Sequence, residues 1–434
     1  MSLSPERMIR EINRAAIKAV TPSVFLPEQM KMNGETLSIQ GHEFHLDEYR
    51  HIYVIAFGKA AQSMTAAAEG VLGERITSGF VLTKHWEPDI PLSGKYTILR
   101  GGHPVPTEDS IESTEKILSF LQSTQKDDLI LFLISGGGSA LLTAPEEGIS
   151  LSDWQAFSSI MLGCGADIRE FNTLRKHLDR AKGGKLALAA QPSKCVSLIL
   201  SDVVGNPLDV IASGPTVPDE RTFWDALDVL ERYKLREKMP ASITDVLIRG
   251  TEGKIPETLK KEDERVSDLI SLIAADNRRA AVAVVERARA LGVDAVLVRN
   301  DLTGEASEIG AGLPSCFGSG HPLMVFGGET TVTLKGTGKG GRNQELALAS
   351  VRRMAEIPGG ILWTLATDGE DGPTDAAGAV VTSDTLRRGM EIGMIPEDYL
   401  AANNAYAYFD ALGDLLKPGP TGTNVNDMTF LLRL

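Results

Sequence analysis

The chain of 434 residues contains only three cysteines, Cys164, Cys195 and Cys316, widely separated and without CxxC spacing. Their scarcity excludes a disulfide framework and a thiolate zinc site, and it fits a reducing compartment. No stretch reaches about 18 uninterrupted apolar residues, and the opening MSLSPERMIREINRAAIKAV carries charges throughout. Neither a membrane span nor a secretory leader is expected, so the sequence reads as cytoplasmic. There is no Lys/Arg run interleaved with aromatics, and the formal net charge is −14, so nucleic acid is not an expected partner. A small anion remains open as a ligand, because the field in a cleft follows local cations and helix N-termini rather than total charge. Fixed-period repeats and low-complexity tracts are also absent.

What is present is an ordinary globular mix, 42% hydrophobic and 24% charged. The length exceeds the roughly 250 to 300 residues at which single cores stop growing, so two domains are expected. Short apolar runs at Ile52–Phe57, Gly79–Thr83, Leu129–Ile134 and Val196–Leu200 alternate with helix-period segments, which predicts an α/β fold with a parallel sheet covered on both faces. In such sheets ligands gather at the carboxyl ends of the strands. From about Tyr233 to Asp268 the chain is charged and poorly periodic, with Pro240 and Pro256 as breakers, and is expected to be an exposed helical connection. A second βαβ is expected from Leu269–Ala274 through Asp294–Val298. Alternation around Val332 and Leu334 predicts an antiparallel strand, and Thr429–Leu434 a hairpin-like end.

The strongest local signal is Leu129–Ile134 running directly into Ser135, Gly136, Gly137, Gly138 and Ser139, then Ala140–Leu142. A buried strand feeding a glycine loop and a helix start aims backbone N–H groups at one point with a helix dipole behind them, which is a phosphate cradle. The plain alternative is a tight turn without a ligand, but three consecutive glycines exceed what a turn needs.

Neither GxxxxGK[ST] nor the protein-kinase glycine loop with its HRD and DFG companions occurs. Gly336, Gly338 and Gly341 form a dinucleotide-type match, weak because the strand before it alternates. Lys339, Gly340, Gly341 and Arg342 read better as a cationic loop at a helix start, suited to a polyphosphate. Lys59 directly follows a strand. Of Arg175, Lys176, Arg180, Lys182 and Lys185, a solvated basic face accounts for most, and Arg175 and Lys185 are the two expected to reach a ligand. Asp202, Glu329, Asp368, Glu370 and Asp371 sit at strand ends, where carboxylates hold Mg²⁺, accept a hydroxyl proton or merely cap turns. His103 reads equally as a ligand contact or a bonded structural residue. Thr421, Thr423, Asn424, Asn426 and Asp427 crowd a short glycine-punctuated tail expected to return to the site.

Taken together, SGGGSALL, RKHLDRAKGGKLA, LSDVVGNPLDVIASGPTVPD, GGETTV, GKGGRNQELALA, TDGEDGPTDAAGA and GPTGTNVNDM resemble the glycerate kinases whose C-terminal part is the MOFRL domain. The resemblance runs from about Lys59 to Asp427. It implies a Rossmann-like N-terminal domain over 1–240, a linker over 241–268, a second α/β domain with a mixed sheet over 269–434, and an active site in the interdomain cleft. It also implies phosphorylation of D-glycerate, usually to 2-phosphoglycerate, with ATP and Mg²⁺, with Lys59 and Arg342 matching the family's active-site lysine and arginine. On this reading Ser135–Ser139 and Lys339–Gly341 bind the nucleotide phosphates, Lys59 and Arg342 stabilise the transferring group, and Asp202 or Asp368 takes the hydroxyl proton. Asp202, Glu329 and Asp371 are the candidate metal ligands, and Arg175, Lys185 and Asn424 the candidate glycerate contacts. Homodimerisation stays open. Two rivals remain: an NAD(P)H-dependent hydroxypyruvate reductase, a label this family has carried, and a non-catalytic phosphometabolite-binding protein.

Overall fold

The computed structural model describes residues 4–318 and 320–433. They form two compact units, 25–274 in one and 4–24 with 275–433 in the other.

In the 25–274 unit six strands form one sheet, in the order Tyr96–Arg100, Ser78–Thr83, His51–Phe57, Asp128–Ile134, Lys194–Leu200, Leu269–Ala275. The pairings through the first five are parallel. Asp128–Ile134 is buried along its whole length, which explains its unbroken apolar run: helices on both faces leave no polar side to alternate with. The chain lays two strands outward from His51–Phe57 and then returns to place Asp128–Ile134 on that strand's other side. The point where the strand order reverses is where such sheets open a crevice at their carboxyl ends. Gly58–Lys59 and Ser135–Ser139 are the two loops that leave it.

In the other unit the sheet is mixed, in the order Ala295–Leu302, Leu323–Gly328, Asp427–Arg433, Gly360–Ala366, Gly378–Thr382, Leu415–Leu416. Only the first pair is parallel. The helix Pro5–Ala19 buries Met8, Ile9, Ile12 and Ala16, and its Asn13 accepts the indole N–H of Trp363 at 2.9 Å. No described helix is long and apolar enough to cross a membrane.

The α/β class and both sheet types match the expectation, but several boundaries do not. Leu269–Ala275 is an edge strand of the first sheet, not the start of a second domain, and residues 4–24 belong with the C-terminal unit rather than the N-terminal domain. The stretch 241–268 is not an exposed linker: Ala241–Thr251 is a helix with Ile243, Val246 and Leu247 buried against Trp154, Phe157 and Phe223. Its surface charges masked an apolar stripe of helical period. Residues 331–335 form no strand beyond one bridge from Thr331 to Glu305, and Leu334 is 79% exposed. Asp427–Arg433 is a central strand rather than half of a hairpin, and Leu434 lies outside the described residues.

Candidate functional site

In the 25–274 unit, the loop after Asp128–Ile134 is set by what it must pass. Gly58 (φ +119) takes a backbone conformation that disfavours side chains, and a Cβ there would overlap Ser135. The Ser135 hydroxyl accepts the amide of Ala60 at 3.0 Å, and the amide of Lys59 donates to the carbonyl of Gly136 at 2.8 Å. The two switch-point loops are thereby fastened together. Gly136 has the Asp202 carboxylate pressed against its Cα, 1.8 Å from where a Cβ would stand. Gly137 (φ +83) has the His103 ring and the Lys59 stem on its open side. Among the described residues no backbone carbonyl receives the amides of Gly136, Gly137, Gly138 or Ser139. Four adjacent unpaired donors beside an exposed lysine make a cradle for an anion. The expected helix dipole contributes little, because the helix Gly138–Leu141 is a single turn.

Ser139 and Ser213 share a hydrogen bond of 2.9 Å, and Ser213 donates to Asn172 at 3.1 Å. Ala212 and Ser213 both have positive φ (50° and 62°), a costly backbone for non-glycine residues that clusters at functional sites. Arg175 lies one turn beyond Asn172 on Ile168–His177, with its guanidinium 3.6 Å from the centre of the Phe171 ring. Among the described residues it has no hydrogen-bond or ion-pair partner, and burial lowers its pKa to about 10. The His103 ring likewise has none. Burial first, then Lys59 and Lys84, lowers its pKa to about 4, so it is neutral at physiological pH.

The other basic residues separate differently from expectation. Lys176 is buried between Asp209 and Asp219, and Lys182 is buried on Asp179. The solvated face expected for most of them is therefore corrected to a partly internal ion-pair network, satisfied as buried charges must be. Lys185 is committed to Glu146 and the Asp179 carbonyl, both at 2.8 Å, and is a brace rather than an open ligand contact.

In the 275–433 unit the counterpart is the start of the helix Arg342–Met354. Arg342 donates from Nε and Nη2 to Asp427 and from Nη1 to Glu329. Of five guanidinium N–H groups, this leaves two for a ligand. Asp371 accepts the amides of Asn343 and Gln344 at 3.1 and 2.8 Å and the side chain of Asn343 at 3.3 Å, so it caps the helix. Those donors engage both of its oxygens, so of the roles expected for a strand-end carboxylate it performs the cap, and Glu329 is engaged by Arg342. Burial raises Asp371 to about 7, with Asp427 adding repulsion. Burial also raises Asp427, to about 6, against the pull of Arg342.

Lys339 sits 4.3 Å from the Tyr406 ring centre, and its loop is strapped down by Asn403 and Asn404. The Asn403 side chain accepts the amides of Lys335 and Gly336 at 2.6 and 2.8 Å, and Asn404 accepts that of Lys339 at 3.1 Å. Gly336 and Gly338 lie against Ala402 and Asn404 with no room for a Cβ, so these glycines serve packing rather than a dinucleotide. Asp368 accepts the amide of Glu370 at 3.2 Å, and Asn424 accepts that of Asn426 at 3.0 Å. Asn172, Ser213 and Asn403 escaped the sequence reading. The signal was slight: Asn172 is one polar residue inside a helix, and Ser213 and Asn403 are small polar residues among turn formers.

Two family models match the chain: Domain of unknown function (DUF4147) over residues 8–248 and MOFRL family over residues 322–427. The glycerate 2-kinase of Pyrococcus horikoshii is 40% identical over 428 residues, covering 96% of this chain and 94% of the relative. A putative hydroxypyruvate reductase of Agrobacterium vitis is 40% identical over 396 residues, covering 87% of this chain and 86% of the relative. The solved structure of glycerate kinase from Thermotoga maritima superposes with a TM-score of 0.86 at 37% identity, covering 99% of both chains. The matches span both units and nearly the whole length, and the chain belongs to the DUF4147–MOFRL family, that of the glycerate kinases.

Proposed function

We propose that the protein transfers the terminal phosphoryl group of ATP to D-glycerate, giving 2-phosphoglycerate, with Mg²⁺. The observation that carries this reading is the row of unpaired amides from Gly136 to Ser139 beside Lys59, His103 and Asp202. Phosphoryl transfer asks a protein mainly for positioning and charge stabilisation. The amides cradle phosphate oxygens, and Lys59 offsets the charge that spreads over the transferring group. Arg175 pairs with the glycerate carboxylate, as an unpartnered guanidinium suits a bidentate acceptor. Neutral His103 donates its single N–H to the glycerate hydroxyl oxygen and orients it, and Asp202 takes the hydroxyl proton.

Mg²⁺ fits this donor set, since it needs only one or two carboxylates beside substrate phosphates and the Asp202 carboxylate occupies the space a Cβ on Gly136 would fill. Asp202 would hold it, and the bound ion would neutralise phosphate charge. In the other unit Arg342, steadied by Glu329 and Asp427, keeps two N–H groups for a phosphate oxygen, with Lys339 adding charge.

The test is direct: ADP formed from ATP and D-glycerate without a reductant, with the product read by phosphorus NMR. Oxidation of NADH by hydroxypyruvate alone, with no ADP in the first assay, would establish the reductase reading instead. Ligand-dependent thermal stabilisation without turnover in either assay would mark a binding protein.

A further inference from the structure

A cavity of about 890 Å³ lies wholly within the unit of 4–24 and 275–433, between the helix Pro5–Ala19 and the sheet face formed by Gly360–Ala366 and Gly378–Thr382. Its floor is Ile361, Leu365 and Val380, and Ile9, Ile17 and Val24 form one wall. Its volume falls in the range of small-molecule sites, roughly 300 to 1,000 Å³. None of its lining residues is aromatic, so it offers no plane on which a flat ring would stack. Arg10, Arg14 and Lys18 run along its rim at four-residue spacing, all exposed, and no acidic side chain pairs with them among the described residues. That spacing repeats about every 6 Å along a helix. The rim acids are Glu6 and Asp414, and Asp414 is taken by Arg388. The remaining rim cation, Lys417, is held by Asp375 and Asp410.

We propose that this groove is a second ligand site, which binds an aliphatic chain ending in an anionic head, the chain on the floor and the head on the Arg10–Arg14–Lys18 row. In a chain of net charge −14 an unpaired cation row beside apolar surface is complementary to such a ligand. The same row would repel a second copy of itself across a symmetric contact. Nothing in the groove belongs to the phosphate cradle, so the proposal stands apart from the kinase reading.

Calorimetric titration of the full chain with dodecanoate, decanoate and octanoate, and with dodecyl phosphate, tests it. Saturable one-to-one binding is expected, weakening about fourfold for each methylene removed, the factor that 0.8 kcal/mol per buried CH₂ implies. Whichever head binds more tightly identifies the ligand class. Arg14→Glu with Lys18→Glu should weaken dodecanoate at least tenfold while leaving the melting temperature unchanged, and Val380→Trp, which fills the floor, should abolish binding. Dodecyltrimethylammonium should not bind. Absence of saturable binding, affinity indifferent to chain length, or equal binding of the cation would overturn the site. So would a sedimentation dimer that Val380→Trp dissociates, which would make a second copy the occupant.

Discussion

At the scale of single residues, the site is built from groups left with capacity to spare. Lys59→Ala and Arg342→Ala are each expected to lower kcat by roughly 10²-fold or more, as for removal of one electrostatic stabiliser, with unchanged melting curves; near-normal turnover in both purified variants would remove them from the mechanism. A different residue sets the response to pH. Asp371 has its pKa raised from 3.8 to about 7 by burial, so between those values the native state holds a proton that the unfolded chain has released. Stability contributed by that proton is therefore lost as pH rises through 7 and regained on acidification. The melting temperature should climb from pH 8 to pH 6, and Asp371→Asn should flatten the climb while keeping one acceptor for the helix cap. An equal slope in the variant would place the effect elsewhere. Position and resemblance single out Lys59 and Arg342 in the sequence as candidates, and turnover of the two variants decides their role. The Asp371 cap was not legible there, because whether a strand-end carboxylate faces a metal or a helix start depends on where Asn343 and Gln344 arrive, more than twenty residues upstream.

At the scale of elements, what could be read and what could not divide along burial. Apolar runs such as Leu129–Ile134 announce strands because both faces are covered, and the structure places strand Asp128–Ile134 there. Ala241–Thr251 was hidden, since its apolar stripe is only part of a charged surface helix. Residues 331–335 misled for the opposite reason: alternation came from an exposed loop, not a pleat. Long-range pairing was beyond reach, because nothing local tells Asp427–Arg433 that its neighbours are Leu323–Gly328 and Gly360–Ala366. The glycine loop itself allows a sharp test. Gly136→Ala would drive a methyl group into the Asp202 carboxylate, displacing both loop and acid, and turnover should fall at least as far as in Lys59→Ala. Leu247→Ala, in the helix packed against Trp154 and Phe223, should instead cost about 2 to 5 kcal/mol of stability with KM values unchanged. Were the two variants to show the same pattern, the distinction between cradle and core would fail.

At the scale of the whole molecule, chain order and compact unit do not coincide, and this has a consequence for stability. The helix Pro5–Ala19 is first in sequence, yet it packs within the C-terminal unit, against the helix Asn277–Ala290. It buries Met8, Ile9 and Ile12 completely or nearly so, receives the indole N–H of Trp363 on Asn13, and pairs Glu11 with Arg287. Three large apolar side chains at about 1.5 to 3 kcal/mol each amount to roughly 5 to 9 kcal/mol, comparable with the 5 to 15 kcal/mol by which domains are stable at all. The exposed ion pair adds little to that sum. Deleting residues 1–20 should therefore unfold or strongly destabilise 275–433 while leaving 25–274 folded. Scanning calorimetry should show one transition kept and the other lost, and limited proteolysis should degrade the C-terminal part first. Adding the segment back as a peptide should restore the lost transition in proportion to its concentration, by mass action. Two intact transitions in the deleted chain would mean the unit holds its fold without this helix, and that the burial of Met8, Ile9 and Ile12 serves the helix more than the rest of the unit.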